Sequence, residues 1–177
     1  HALGQCASFT LPDGGIPTDR IPKAINDLLA EDRLEGLSDV RILSAKEMPE
    51  GFHARYSCKG KRYIYKIFCS KQKSIFRRTR FFQIEEELDI DAMRRAAEYI
   101  VGTHDFASFE TSGSTPHETT VRTIYSLKLT EKKEDTGKLI ELSIEGDGFL
   151  YNMVRIITGT FLFAREYMIT KICKYNK

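Results

Sequence analysis

Two groups of residues have types and spacing suited to chemistry. The first is cationic. Arg55, Lys59, Lys61, Arg62, Lys66, Lys71, Lys73, Arg77, Arg78 and Arg80 fall in one stretch that holds no aspartate or glutamate. They are ten of the chain's 27 basic residues, so the rest of the chain has 17 basic residues against 25 acidic ones. The net charge of +2 therefore conceals a cationic segment beside an anionic remainder. Such a segment attracts a polyanion. Tyr56, Tyr63, Tyr65, Phe68 and Phe76 are interleaved with the cations, and Phe81 and Phe82 follow. Cations hold phosphates and aromatic faces stack unpaired bases, so the pattern points to nucleic acid. The plainer alternative is a solvated strand face above core aromatics. The second group is a single cation. Arg155 sits between Val154 and Ile156 in an apolar helical stretch. If buried, its guanidinium needs a carboxylate or phosphate partner; on the solvent edge of the helix it needs none.

Other chemistries find little support. His53, His104 and His117 are far apart and show no HExxH spacing. Cys6, Cys58, Cys69 and Cys173 form no CxxC pair, so no metal site is expected. There is no P-loop, no GxGxxG and no GxSxG. His104 and Asp105 could be imagined as a base and its orienter, but a structural turn after Gly102 is the simpler reading. Ser112-Gly113-Ser114-Thr115 could cradle a phosphate, although such loops are common.

These residues need elements to hold them. A strand is expected over His1–Thr10 and a loop at Pro12-Asp13-Gly14-Gly15. Ile21, Ala24, Ile25, Leu28 and Leu29 recur at helical spacing, which predicts an amphipathic helix over Asp19–Ala30 with Pro22 in its first turn. Val40–Ala45 alternates and reads as a strand, followed by a turn at Met48–Gly51. Lys59-Gly60-Lys61 reads as a tight turn. Arg62–Phe68 alternates too, with Tyr63, Tyr65 and Ile67 on one face and Arg62, Ile64, Lys66 and Phe68 on the other. A helix is expected over Ala92–Val101, capped by Asp89 or Asp91 and ended by Gly102. Its core face would use Ile90, Met93, Ala97 and Ile100 or Val101. Thr111–Glu118 reads as a surface loop. Thr120–Leu129 and Leu139–Glu145 read as a hairpin with a long charged turn over Glu131–Lys138. After a break at Gly146-Asp147-Gly148, a helical pattern runs from Phe149 to about Phe163. It places Leu150, Met153, Val154, Ile157 and Phe161 together and Tyr151, Arg155 and Thr158 on another face.

The chain has 177 residues, of which 41% are apolar and 29% charged. That is enough for one folded domain with a real core, and it excludes a disordered tail. No apolar run reaches the roughly 18–20 residues of a membrane helix. No secretory leader opens the sequence, so free thiols in a cytoplasmic protein are expected. The chain begins at His1, which suggests a fragment whose natural start lies upstream.

Several segments together carry a family resemblance. They are Phe52-His53-Ala54-Arg55-Tyr56, Arg62-Tyr63-Ile64-Tyr65, Gly102-Thr103-His104-Asp105-Phe106-Ala107-Ser108-Phe109, Val121-Arg122-Thr123-Ile124 and Gly146-Asp147-Gly148-Phe149-Leu150-Tyr151-Asn152-Met153-Val154-Arg155. In order and spacing, from His1 to about Phe161, they closely resemble the TruA family of tRNA pseudouridine synthases. The resemblance implies an α+β fold, a mixed and mainly antiparallel sheet with helices on one face. It implies isomerisation of uridine to pseudouridine in the tRNA anticodon stem-loop, with no cofactor and no metal, by a homodimer in the cytoplasm with no membrane association. An aspartate attacks the flipped-out nucleotide, and the base detaches, rotates and rejoins through carbon. On the family pattern Tyr63 packs against the target base, and Arg155 pairs with the nucleophilic carboxylate. Arg62, Lys66, Arg77, Arg78, Arg80 and Arg122 are the candidates for phosphate contact.

One departure matters. The family nucleophile lies in Gly-Arg-Thr-Asp-Ala-Gly-Val, followed at once by His-Ala-x-Gly-Gln. This chain starts His1-Ala2-Leu3-Gly4-Gln5 and contains no Arg-Thr-Asp. The catalytic aspartate is therefore expected just before residue 1, and residues 1–177 are expected to be a single incomplete catalytic domain, inactive alone. The sequence after about Leu162 also leaves the family pattern. The rival is a non-catalytic RNA-binding module of the same fold; a small hydrolase built on His104 and Asp105 is a third reading.

Overall fold

The computed structural model describes residues 2–12, 15–31, 38–113 and 118–163. It divides into two compact units, one of residues 2–58 and one beginning at Lys59.

In the first unit a 3-10 turn over Thr18–Arg20 leads into helix α1, Ile21–Glu31. The predicted helix is therefore present. The strands expected at His1–Thr10 and Val40–Ala45 are absent: described residues 2–10 and 40–45 join no ladder. Alternation suits a strand only if a neighbour takes its backbone groups. For residues 38–46 the neighbour is one side chain. Asn26 of α1 accepts from the Ile42 amide at 2.8 Å and donates to its carbonyl at 2.9 Å. The turn before residue 52 is present, with Gly51 at φ 82° and the Phe52 amide bonded to the Pro49 carbonyl.

The second unit is an α+β sandwich of one sheet and two helices. Strand β1 spans Lys61–Cys69, β2 Phe82–Ile84, β3 Gly102–Asp105, β4 Val121–Glu134 and β5 Gly137–Gly146. The order is β2-β1-β5-β4-β3. Only the short β1–β2 pairing is parallel, and the others are antiparallel. No turn forms at Lys59-Gly60-Lys61, since β1 begins at Lys61. Helices α2, Ile90–Ile100, and α3, Met153–Phe163, cover one face.

The core follows from the register. Ile140, Leu142 and Ile144 of β5 alternate inward and are fully buried. They stand opposite Ile67, Tyr65 and Tyr63 of β1, and Leu129 and Leu127 of β4 flank Leu142 and Ile144. Ile124 is also buried, three positions before Leu127. A bulge between Ile124 and Ser126 resolves the phase. Its extra residue turns Tyr125 outward and keeps Ile124 and Leu127 on one face. Helix α2 buries Ile90, Ala92, Met93, Ala96, Ala97 and Ile100, while Val101 stays outside. Asp89 caps it by accepting from the Ala92 amide at 2.9 Å. Gly102, at φ 114°, ends it in a conformation that a side chain rarely adopts.

Two sequence expectations change in this unit. The hairpin turn is tight: β4 and β5 stay paired to Glu134 and Gly137, leaving only Asp135 and Thr136 between them. The charged residues extend the strands because their charges find partners. Glu131 pairs with both Arg94 of α2 and Lys138, and Glu134 with Arg77. In α3, Thr158 is buried rather than grouped with Arg155. Its hydroxyl is satisfied by the Val154 carbonyl at 2.8 Å.

Candidate functional site

Tyr63 and Arg155 are reached from the two sides of one connection. Tyr63 stands on the helix-covered face of β1, opposite Ile144. Its inner neighbours farther along the strand are progressively buried, but Tyr63 itself is 50% exposed. Its ring meets Phe149 edge to face, with centroids 5.1 Å apart and planes at 83°. Phe149 lies in the segment that joins β5 to α3. The chain therefore runs from the strand beside Tyr63, through Tyr63's ring partner, into the helix that carries Arg155.

That connection is fixed at both ends. Asp147 donates its amide to the Thr123 carbonyl at 3.1 Å and accepts from the Thr123 amide at 3.0 Å. A side-chain oxygen thus continues the sheet for one residue beyond its last strand pair. A Cβ on Gly146 would lie 2.7 Å from the Thr123 carbonyl oxygen, so only glycine allows this approach. At the other end the Thr111 amide donates to the Tyr151 carbonyl at 3.2 Å, and Asn152 donates to the Thr111 hydroxyl at 3.2 Å. Asn152 adopts φ 59°, a left-handed conformation that asparagine tolerates. The sequence reading took this stretch as a strand break and as part of a family motif, but gave Asp147 and Phe149 no role. The available signal was an acid and an aromatic set among glycines.

Arg155 is exposed, so of the two alternatives left open by its sequence the solvent edge of the helix is the one found. The buried side of α3 carries Met153, Val154, Ile157, Thr158 and Phe161. At about 100° per residue, position 155 falls away from that side. Its guanidinium has no hydrogen bond or ion pair among the described residues.

The cationic candidates separate by what holds them. On the outer face of β1, Arg62 pairs with Glu145 at 2.8 Å and Lys66 with Glu141 at 3.1 Å. Both are directly opposite residues in the β1–β5 register. Tyr63 projects to the other face, as alternation predicted. The segment contains no acid of its own, but β5 supplies acids across the ladder, a pairing that sequence order hides. Arg77 is half-buried, 2.6 Å from Glu134, with its guanidinium 4.1 Å from the Phe68 ring centroid. Arg78 and Arg80 are exposed and have no ion-pair partner among the described residues. Arg122 donates to the Thr119 carbonyl at 2.8 Å and the Val121 carbonyl at 2.6 Å, with its side chain beside Gly148.

The imagined His104–Asp105 pair separates. Both belong to β3 rather than a loop. A His104 ring nitrogen meets the Val101 carbonyl at 3.0 Å, whereas Asp105 accepts from the Thr120 hydroxyl and the Ala107 amide. Those two donors, the Thr120 hydroxyl foremost, hold the Asp105 carboxyl below its ordinary pKa. Cys69 is a buried free thiol, and burial pushes its pKa up, which makes it unreactive. Cys6 is an exposed free thiol and Cys58 is exposed as well, while Cys173 lies outside the described residues. So do His117 and the second half of the Ser112–Thr115 segment. Among the described residues, no group of three His, Cys, Asp or Glu side chains could hold a metal ion. No described helix is long and apolar enough to cross a membrane. A groove of about 410 Å³ runs between α2 and β4, lined by Ala97, Val101, Leu127 and Leu129 among others, and contains none of the predicted site residues.

Comparison with known proteins agrees with the motif reading. The family described as tRNA pseudouridine synthase matches residues 96–171. The tRNA pseudouridine synthase A of Acetivibrio thermocellus is 46% identical over 162 residues, covering 92% of this chain and 61% of that protein. Over nine tenths of its length the chain is similar to the TruA family. The Ruminiclostridium cellulolyticum tRNA pseudouridine synthase A is 42% identical over 164 residues, 93% of this chain and 62% of its own length. The Bacillus subtilis protein of the same name is 40% identical over 164 residues, again 93% of this chain and 61% of its own length. The chain spans about three fifths of the length of the curated relatives it matches.

Proposed function

We propose that this chain is the base-contacting and RNA-holding part of a tRNA pseudouridine synthase that isomerises uridine in the anticodon stem-loop. The carrying observation is the 46% identity to tRNA pseudouridine synthase A over 92% of the chain. The exposed Arg155, which has no partner among the described residues, supports it, because a free guanidinium on the helix that follows Phe149 suits an incoming carboxylate.

In this reading an aspartate from a segment upstream of residue 1 attacks the flipped nucleotide. Arg155 pairs with that carboxylate and keeps it ionised. Tyr63, steadied edge-on by Phe149, presents its ring to the base. Uridine and pseudouridine are isomers: the C1′–N1 bond is exchanged for C1′–C5, and a proton passes from C5 to N1. The balance requires no redox partner. Arg78 and Arg80 hold phosphates. Arg62 and Lys66 can do so by releasing Glu145 and Glu141, since exposed pairs of this kind are worth only about 0–1 kcal/mol. Arg77 and Arg122 shape the backbone around the RNA. The protein works in the cytoplasm as a homodimer.

The test uses an unmodified tRNA transcript, with pseudouridine formation and RNA binding read together. The 177-residue chain is expected to bind without turnover. A form extended upstream with the matching segment of the Acetivibrio thermocellus relative is expected to turn over, and Tyr63→Ala or Arg155→Ala in that form to lower kcat at least a hundredfold. Product from the unextended chain would overturn the upstream aspartate. Tight binding by an extended form that never turns over would favour a non-catalytic RNA-binding module.

A further inference from the structure

The segment between β1 and β2 is held firmly at its base and bare at its tip. At the base, the Ser70 amide donates to the Ile84 carbonyl at 2.9 Å, and its hydroxyl to the Thr136 carbonyl at 2.6 Å. Higher up, Gln83 closes a ring of two hydrogen bonds with the Ser74 backbone, at 2.7 and 3.0 Å. Arg77 is the central peg. Its guanidinium lies over Phe68 and 5.2 Å from the Phe81 centroid, and its carboxylate partner is Glu134 on the hairpin. Between these anchors a 3-10 turn over Ile75–Arg77 presents its two apolar residues outward. Ile75 is 71% exposed and Phe76 91% exposed.

Their surroundings identify the partner. Lys71, Lys73, Arg78 and Arg80 are all exposed, and none has an ion-pair partner among the described residues. No acid occurs from Lys71 to Ile84. An apolar protein surface set on Phe76 would have to desolvate or oppose four free cations. A single-stranded or looped nucleic acid satisfies both features, with phosphates for the cations and a base face for the ring.

Building on the functional reading above, we propose that Phe76 is a stacking post for an unpaired nucleotide of the RNA, at a site separate from the Tyr63–Arg155 site. The pinned base makes the post rigid, so little ordering entropy opposes stacking.

The test measures affinity of the 177-residue chain for an unmodified tRNA transcript and for a fully paired RNA duplex. Phe76→Ala is expected to weaken tRNA binding roughly five- to a hundredfold. Duplex binding should stay unchanged, because a duplex offers no free base face. Phe76→Tyr should restore tRNA binding to within about twofold. Arg78→Ala or Arg80→Ala should weaken both RNAs and lower the salt slope by roughly one each. Equal tRNA binding by wild type and Phe76→Ala would overturn the post and leave the functional reading intact. Absence of tRNA binding by the wild type and by the upstream-extended form would overturn both. A protein contact at Phe76 is the competing outcome. Phe76→Ala would then change the oligomeric state, or lower the Tm of the extended form, with no effect on RNA affinity.

Discussion

Strand β5 and residues 40–45 of the segment 38–46 both alternate apolar and polar residues, yet the two are held by different means. β5 is paired along both edges, with β1 on one side and β4 on the other. Its inner residues Ile140, Leu142 and Ile144 are fully buried. Segment 38–46 has one side chain, Asn26, in place of a neighbouring strand, and Val40 and Leu43 are 56% and 80% exposed. The difference extends to the two units. Among the described residues, every one in the buried apolar core lies at or beyond Ile67, and those of 2–58 contribute none. Extended backbone needs hydrogen-bond partners, but stability comes from the apolar face those partners allow to be covered.

The largest effect should come from testing burial in the two segments. Leu142→Ala removes a fully buried side chain between two strands and should cost about 2–5 kcal/mol. Leu43→Ala removes an exposed one and should stay within about 0.5 kcal/mol. Urea unfolding of each variant reads both values. A large loss from Leu43→Ala would mean that residues 38–46 carry a core of their own.

The same contrast explains what was legible in the sequence. The α1 and α2 patterns, the apolar face of α3 and the β1 alternation were read correctly, because each element's partners follow within residues 59–163 or, for α1, because a helix satisfies its own backbone; α3 itself begins at Met153 rather than Phe149 and buries Thr158. The strands expected at His1–Thr10 and Val40–Ala45 were misread because a pattern announces readiness to pair, not the presence of a pair. The hairpin was cut short for the opposite reason. Glu131 and Glu134 looked like turn residues until Arg94, Lys138 and Arg77 were placed beside them. At the site, motifs named Tyr63 and Arg155. Edge-on contact with Phe149 and the Asp147 lock on Thr123 depend on a close approach between β4 and the β5–α3 connection, which no spacing reveals.

The next effect is smaller and separates a backbone lock in each unit. Asp147→Ala removes the acceptor of the Thr123 amide at an exposed edge and should cost about 0.5–1.5 kcal/mol. Asp147→Asn keeps an oxygen there and should restore most of it. Nuclear magnetic resonance of the Tyr63 ring protons should shift in the alanine variant, because Phe149 loses its hold. Asn26→Ala, in the other unit, should speed hydrogen exchange at Ile42 without slowing or speeding it across β5. Equal effects of Asn26→Ala on both segments would show that the two units unfold as one.

The smallest effect is a titration at the corner of the sheet. Asp105 joins the end of β3 to Thr120 and Ala107 through hydrogen bonds accepted by its carboxylate. Those bonds favour the ionised form and hold the folded pKa below the ordinary value of 3.8. An acid shifted downward stabilises the fold above its unfolded pKa, and that contribution is lost as the pH falls through the folded value. Acidification below about pH 4 should therefore loosen this corner, because protonation removes the charge that strengthens both bonds. The Ala107 amide resonance should move with pH in the wild type and stay flat in Asp105→Asn, whose side-chain oxygen accepts without titrating. The Ile42 amide, held by the neutral Asn26, should not respond in the same range. A wild-type Ala107 amide that ignores acid would show that its bond owes nothing to the charge of Asp105.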